Sequence, residues 1–222
     1  MCGRVALHTS PTELAELFSL DEIPRLQPRF NLAPTQPIAL VRWTEGQRTL
    51  SLFRWGLIPP WARPGGPPLF NARLDTASSK PSFREAFRKR RALIPINGFF
   101  EWERQQAMAL PYFVCRRSRS PFALAGLWER WRAPEGHWVE SCTVLTQPAR
   151  PPVDSWHDRC PVVIQPAAYA DWLDPSLSNP GKALVETWDD SFVAFRVGLW
   201  VNRVANDDPR CIEPLLLLSL KP

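Results

Sequence analysis

Six short apolar runs constrain this fold more than any other feature of the chain. PIALVRW, RTLSLFRWGLIP, YFVCRR, PFALAGLWERW, HWVESCTVLT and CPVVIQP are rich in β-branched and aromatic residues, and each is bounded by proline, glycine or charged turn residues. A doubly wound parallel sheet needs a crossover helix between successive strands, and regular helical periodicity between these runs is absent. WTEGQRT, between Val41 and Leu50, and RAPEGHW, between Trp131 and Val139, read instead as hairpin loops. Proline points the same way. The chain carries 25 prolines in 222 residues, roughly twice the usual share, and proline breaks helix interiors while fitting turns and strand edges. The expected fold is therefore α+β: a mostly antiparallel, curved, barrel-like sheet with a few peripheral helices, in a single domain spanning residues 1–222.

Three helices are expected. PTELAELFSL places Leu14, Leu17 and Phe18 on one face, with Ser10 or Thr12 as the cap. KPSFREAFRKRR and PAAYADWLD supply the other two, and the irregular PPWARPGGPPLFNAR reads as a long surface loop.

The balance of 27 Lys+Arg against 22 Asp+Glu leaves a net charge of +5, a mild lean whose placement matters more than its size. Its tightest cluster is FREAFRKRR, where Arg84, Arg88, Lys89, Arg90 and Arg91 oppose Glu85. Such a cluster is either an ordinary solvated helix face or a patch that tracks phosphates. Five cysteines are scattered with no CxxC pair, so neither a disulfide framework nor a zinc site is expected, nor any other metal or cofactor. PLLLLSL falls far short of the roughly 20 apolar residues that cross a bilayer. These features fit a cytoplasmic protein away from membranes, in which Cys2 remains a thiol, and a monomer is expected.

The chain opens MCGRV. Cys2 reads either as a small buried hydrophobe at the start of a strand or, once Met1 is removed, as a residue bearing both a free α-amine and a thiol. Other polar residues sit in aromatic or proline-bounded settings: Asn71 and Arg73 in FNAR, Asn97 and Glu101 in IPINGFFEW, and His157, Asp158 and Arg159 in WHDRCP. A carboxylate between Phe100 and Trp102 is disfavoured in a core unless it is paired or working. Glu103 follows two positions later, so both carboxylates alternatively face solvent from one strand face. His157 is suited to shuttle protons or to serve as a structural histidine, whereas His8 and His137 read as surface or strand-end residues.

The ordered series MCGR, RFNLAPTQ, RWGLIPPWA, FNARLDT, KPSFREAFRKRRALIPINGFFEW, FALAGLWERW, VLTQPA, WHDRCPVVI and NDDPRCIEPL resembles the SOS-response-associated peptidase family along nearly the whole chain. The resemblance implies a β-barrel-like domain flanked by helices, loss of the N-terminal Met, and a basic groove for single-stranded DNA, with covalent attachment to abasic sites. By the family pattern the cross-linking residue falls on Cys2, the NAR asparagine and arginine on Asn71 and Arg73, the acidic residue on Glu101, the catalytic histidine on His157 and an early phosphate-binding arginine on Arg4. It also implies a cytoplasmic protein that associates with the nucleoid at damaged DNA. The departures are Asp75-Thr76 after NAR, Asn97 where an Asp often precedes the glycine-aromatic pair, and Cys160 with Trp156 in WHDRC, where an aliphatic residue and Met are more usual.

The chemistry suits an N-terminal cysteine. An α-amine titrates near 7.7–8.0 against about 10.4 for lysine, so a useful fraction is nucleophilic at neutral pH and attacks the aldehyde of an opened abasic sugar. The adjacent thiol then closes a five-membered thiazolidine. Glu101 would manage protons at the amine and assist cleavage of the Met1-Cys2 bond, His157 would act as general acid or base, Asn71 would hold the sugar oxygen, and Arg4 and Arg73 would grip phosphates. Trp55 and Trp61, near Pro59-Pro60, are candidate stacking surfaces for bases. The rival reading is an N-terminal-nucleophile amidohydrolase, a glutamine amidotransferase whose Cys2 thiol attacks a small amide.

Overall fold

A computed structural model of the protein describes residues 2–105, 108–177, 179–184 and 188–215. Its strands are β1 (Val5–Leu7), β2 (Arg29–Leu32), β3 (Pro37–Thr44), β4 (Gln47–Trp55), β5 (Asn71–Arg73), β6 (Arg91–Ile96), β7 (Gly98–Gln105), β8 (Met108–Arg116), β9 (Phe122–Arg132), β10 (Trp138–Pro148), β11 (Arg159–Pro161), β12 (Val163–Ile164) and β13 (Phe192–Arg196). The helices are α1 (Pro11–Phe18), α2 (Leu74–Ala77), α3 (Arg84–Lys89) and α4 (Tyr169–Leu173). The architecture is α+β with a barrel-like core. Strands β4, β3, β6 and β9 pair antiparallel in that order, and β10 closes the ring by pairing antiparallel with β9 and parallel with β4. β5, β11 and β12 extend this barrel, while β13, β8, β7, β1 and β2 form a second sheet.

All six apolar runs are strands, and both expected hairpins are present. The β3–β4 turn places Glu45 and Gly46 at φ 52° and 86°, the left-handed pair that a tight hairpin turn needs. Helix α1 is capped by Ser10, whose Oγ accepts from the Glu13 amide at 3.3 Å. It buries Leu14 and Phe18, and Phe18 stacks on Tyr169 with ring centroids 5.3 Å apart.

The barrel strands are apolar on both faces because each face meets a different partner. Ala39, Val41, Leu93 and Leu145 join Leu14, Phe18 and Trp172 from the helices. Ile38, Leu40, Trp55, Ile94 and Val144 join Phe99, Val114 and Phe192 of the second sheet, and Cys2 lies among them.

The basic cluster is not one helix face. Helix α3 stops at Lys89, and Arg90 turns to a 2.5 Å ion pair with Glu129. Arg91 starts β6 and is only 3% exposed. Its guanidinium donates to the carbonyls of Trp172 (2.7 Å), Phe87 (3.0 Å), Arg88 and Asp174. It thereby closes open carbonyls at the ends of α3 and α4. Arg84, Arg88 and Lys89 remain exposed.

Candidate active site

Pairing between β1 and β7 places the N-terminus. Val5 sits opposite Phe99 and Ala6 opposite Gly98, and the Phe100 amide donates to the Arg4 carbonyl at 2.9 Å. The residues before β1 are thus led along β7 toward Glu101. Gly98 permits this close packing: a Cβ there would lie 2.3 Å from Phe113 Cζ and 2.6 Å from the Val114 carbonyl oxygen. Asn97, just before it, accepts from the amides of His8 (2.8 Å) and Thr9 (3.1 Å), so this departure from the family pattern ties down the end of β1.

Cys2 is fully buried and Glu101 is 3% exposed. Burial pushes the Cys2 thiol far up, and the neighbouring Glu101 carboxylate raises it further, so the thiol is held protonated. Burial likewise raises the Glu101 carboxyl above the usual carboxylate range, while positive charge at the N-terminus and on protonated His157 acts in the opposite sense. A carboxyl raised in this way is suited to take up and return a proton.

Strand β5 brings the NAR motif to the same place by pairing parallel with β10, Asn71 against Val144 and Arg73 against Thr146. The Asn71 Nδ2 donates to the Cys2 carbonyl oxygen at 2.8 Å. Its buried Oδ1 accepts no hydrogen bond among the described residues. Arg73, two positions on, shares that strand face and is exposed.

His157 stands on a turn after a short 3-10 segment, with its amide donating to the Val153 carbonyl at 3.0 Å. Its Nδ1 lies 2.9 Å from both the Arg159 amide and Asp158 Oδ1. A neutral ring accepts from the amide through Nδ1, whereas an imidazolium donates to the carboxylate, so each protonation state has a partner. Arg159, 7% exposed, fixes this turn by donating from Nη2 to the carbonyl and hydroxyl oxygens of Thr146. The Thr146 hydroxyl in turn donates to the Ala72 carbonyl at 3.3 Å. The histidine turn and the NAR strand are therefore pinned to one point on β10.

The two tryptophans part company. Trp61 is 66% exposed on the proline-rich loop, which Trp131 anchors by donating from its indole nitrogen to the Ala62 carbonyl at 2.8 Å. Trp55 is fully buried and donates to the Phe70 carbonyl at 2.9 Å, so it has no face for a base. It ends β4, where the chain enters the core before the loop begins. Arg4 is half-buried. Its Nη1 donates to Asn31 Oδ1 (2.7 Å) and the Val201 carbonyl (2.8 Å), and the guanidinium lies over Trp102. All five cysteines are free and buried. Sequence reading missed Thr146, whose role depends on long-range strand pairing and leaves no local signal.

A barrel-like β core that gathers an N-terminal cysteine, an asparagine, a buried glutamate and a histidine from four separate segments defines a recognisable class of protein. The crystal structure of a Bacteroides thetaiotaomicron protein superposes with a TM-score of 0.84 at 24% identity, over 97% of this chain and all of that one. A Bordetella bronchiseptica protein does so with a TM-score of 0.78 at 27% identity, over 89% of this chain and all of that one. Residues 1–204 match the family described as SOS response associated peptidase (SRAP), and the chain belongs to that family. It is 35% identical to the abasic site processing protein YoqW of Bacillus subtilis, over 96% of this chain and 99% of the relative. The abasic site processing protein HMCES of Gallus gallus is 27% identical, over 87% of this chain and 68% of the relative.

Proposed function

We propose that this protein processes abasic sites by binding single-stranded DNA and linking covalently to the opened sugar through Cys2 after Met1 has been removed. The observation that carries this reading is the fastening of the Cys2 main chain by Asn71 beside the buried Glu101 carboxyl. A merely structural cysteine needs neither group. Relatives named as abasic site processing proteins that align over almost the whole chain give independent support.

Removal of Met1 frees the Cys2 α-amine, and Glu101 takes up a proton from it. The neutral amine adds to the sugar aldehyde, and loss of water gives an imine. The thiol then adds across the C=N bond: sulfur bonds to carbon, the thiol proton reaches nitrogen, and a thiazolidine results. His157 acts as acid or base while the sugar opens and the imine forms. Asn71 Oδ1 and Arg73 face the incoming strand, the first toward the sugar and the second toward a phosphate.

Incubation with a single-stranded oligonucleotide carrying one abasic site, followed by denaturing electrophoresis, tests the reading. The parent forms a stable conjugate and Cys2→Ala does not. Equal conjugation by Cys2→Ala, or release of ammonia from glutamine without any conjugate, would instead support the amidohydrolase.

A further inference from the structure

One face of the second sheet changes character in successive rows. Phe99, Val114 and Ala194, on neighbouring strands β7, β8 and β13, pack into the core beside Cys2. Two residues along each strand, on the same face, the row becomes Glu101, Tyr112 and Arg196, with Tyr112 directly opposite both Glu101 and Arg196. Tyr112 is covered by Trp156, the residue before His157, with ring centroids 4.2 Å apart and planes 21° from parallel. The Tyr112 hydroxyl donates to Glu103 Oε2 at 3.1 Å, so the Glu103 carboxylate is already engaged.

Two groups here lack partners. The Trp156 indole N–H meets no acceptor among the described residues, as is true also of Trp43, Trp61, Trp128 and Trp138, and the ring is half-buried against the core. Arg196 is half-buried, its Nε is inaccessible and unpartnered, and its guanidinium forms no ion pair among the described residues. An arginine held in this way beside an aromatic pair is a ready anion site.

We infer that Trp156, backed by Tyr112, and Arg196 form a nucleotide subsite next to the reacting sugar, the indole stacking on the adjoining base and the guanidinium holding its phosphate. This rests on the proposed binding of abasic single-stranded DNA. The dimensions agree: Arg196 stands two strands from Glu101, about 10 Å at the usual strand spacing, on the scale of one nucleotide.

The test uses single strands containing a tetrahydrofuran abasic analogue, which has no aldehyde and cannot cross-link. In two further strands the 5′ or the 3′ neighbouring base is also replaced by tetrahydrofuran. The parent should bind one of these two about tenfold more weakly than the fully based strand, as loss of one stacked base implies. Trp156→Leu should bind the fully based strand with that weaker affinity and no longer discriminate, Trp156→Phe should keep part of the discrimination, and Arg196→Gln should flatten the dependence of log K on log salt by about 0.7. Retained discrimination in a folded Trp156→Leu protein, or an unchanged salt slope in Arg196→Gln, overturns the subsite. If Trp156→Leu does not fold, the Arg196→Gln slope decides. Failure of the parent to bind any abasic strand instead overturns the functional reading itself.

Discussion

The side-chain amide of Asn71 holds the main-chain carbonyl of Cys2 at 2.8 Å, joining positions 69 residues apart. This bond fixes the N-terminal segment, and in the proposed reaction it would hold the amine where it meets the aldehyde. Asn71→Ala removes the donor and leaves a carbonyl without its partner, a loss of about 1 kcal/mol. Cross-linking to abasic single-stranded DNA should slow by about fivefold or more, with the thermal midpoint lowered by only about 2–4 °C. An unaltered single-turnover rate would remove Asn71 from the chemistry.

Glu101→Gln should slow both Met1 removal and cross-linking by about 100-fold, the scale of general acid-base catalysis, while DNA affinity survives. It should also alter stability in a defined direction. The folded protein raises this carboxyl above its unfolded value, so the native state holds the proton more tightly. The parent's stability from this group is full below the unfolded carboxylate pKa, about 4.3, and is lost as pH rises through the folded value. Glu101→Gln should therefore gain on the parent as pH climbs through that window, read from paired denaturant titrations. A stability difference independent of pH would contradict a buried, titrating carboxyl.

His157→Ala should leave Met1 removal largely intact and slow formation or reversal of the DNA link by about 100-fold. Arg159→Met tests the same turn from behind. It abandons the Thr146 carbonyl and should destabilise the fold by about 1–3 kcal/mol while slowing cross-linking through a misplaced histidine. Mass-resolved adduct formation in both variants separates loss of the imidazole from loss of its support.

The arginines should sort by what they touch. Arg73→Ala should reduce the slope of log K against log salt by about 0.7 on single strands, without sequence dependence. Arg88→Ala, on an exposed face, should stay within about 0.5 kcal/mol of the parent in stability. Arg91→Ala should lose several kcal/mol, because four carbonyls lose their donor at once. Similar thermal transitions for the last two variants would contradict the capping role of Arg91.

Local pattern made the barrel strands and both hairpins readable, since alternation and turn chemistry act over a few residues. Helix α3 ends earlier than its sequence suggests, because Arg90 and Arg91 look like helix surface in a local window. Only the distant Glu129, Trp172 and Asp174 show that they point inward. Trp55 misled for the same reason: its indole partner, Phe70, lies beyond an irregular loop. Of the candidate site, Cys2, Asn71, Glu101 and His157 were visible as polar residues out of place. Their convergence depends on β1–β7, β5–β10 and β10–β11 pairings that no short window contains.

Intact mass measures the proposed covalent bond at the Cys2 amine and thiol most directly. After incubation with a single-stranded oligonucleotide bearing one abasic site, the parent should appear at the mass of the Met-free chain plus the oligonucleotide minus one water, and Cys2→Ala should remain unconjugated. A chain that keeps Met1 and never gains the oligonucleotide mass, or a Cys2→Ala chain that gains it as readily as the parent, would contradict the account.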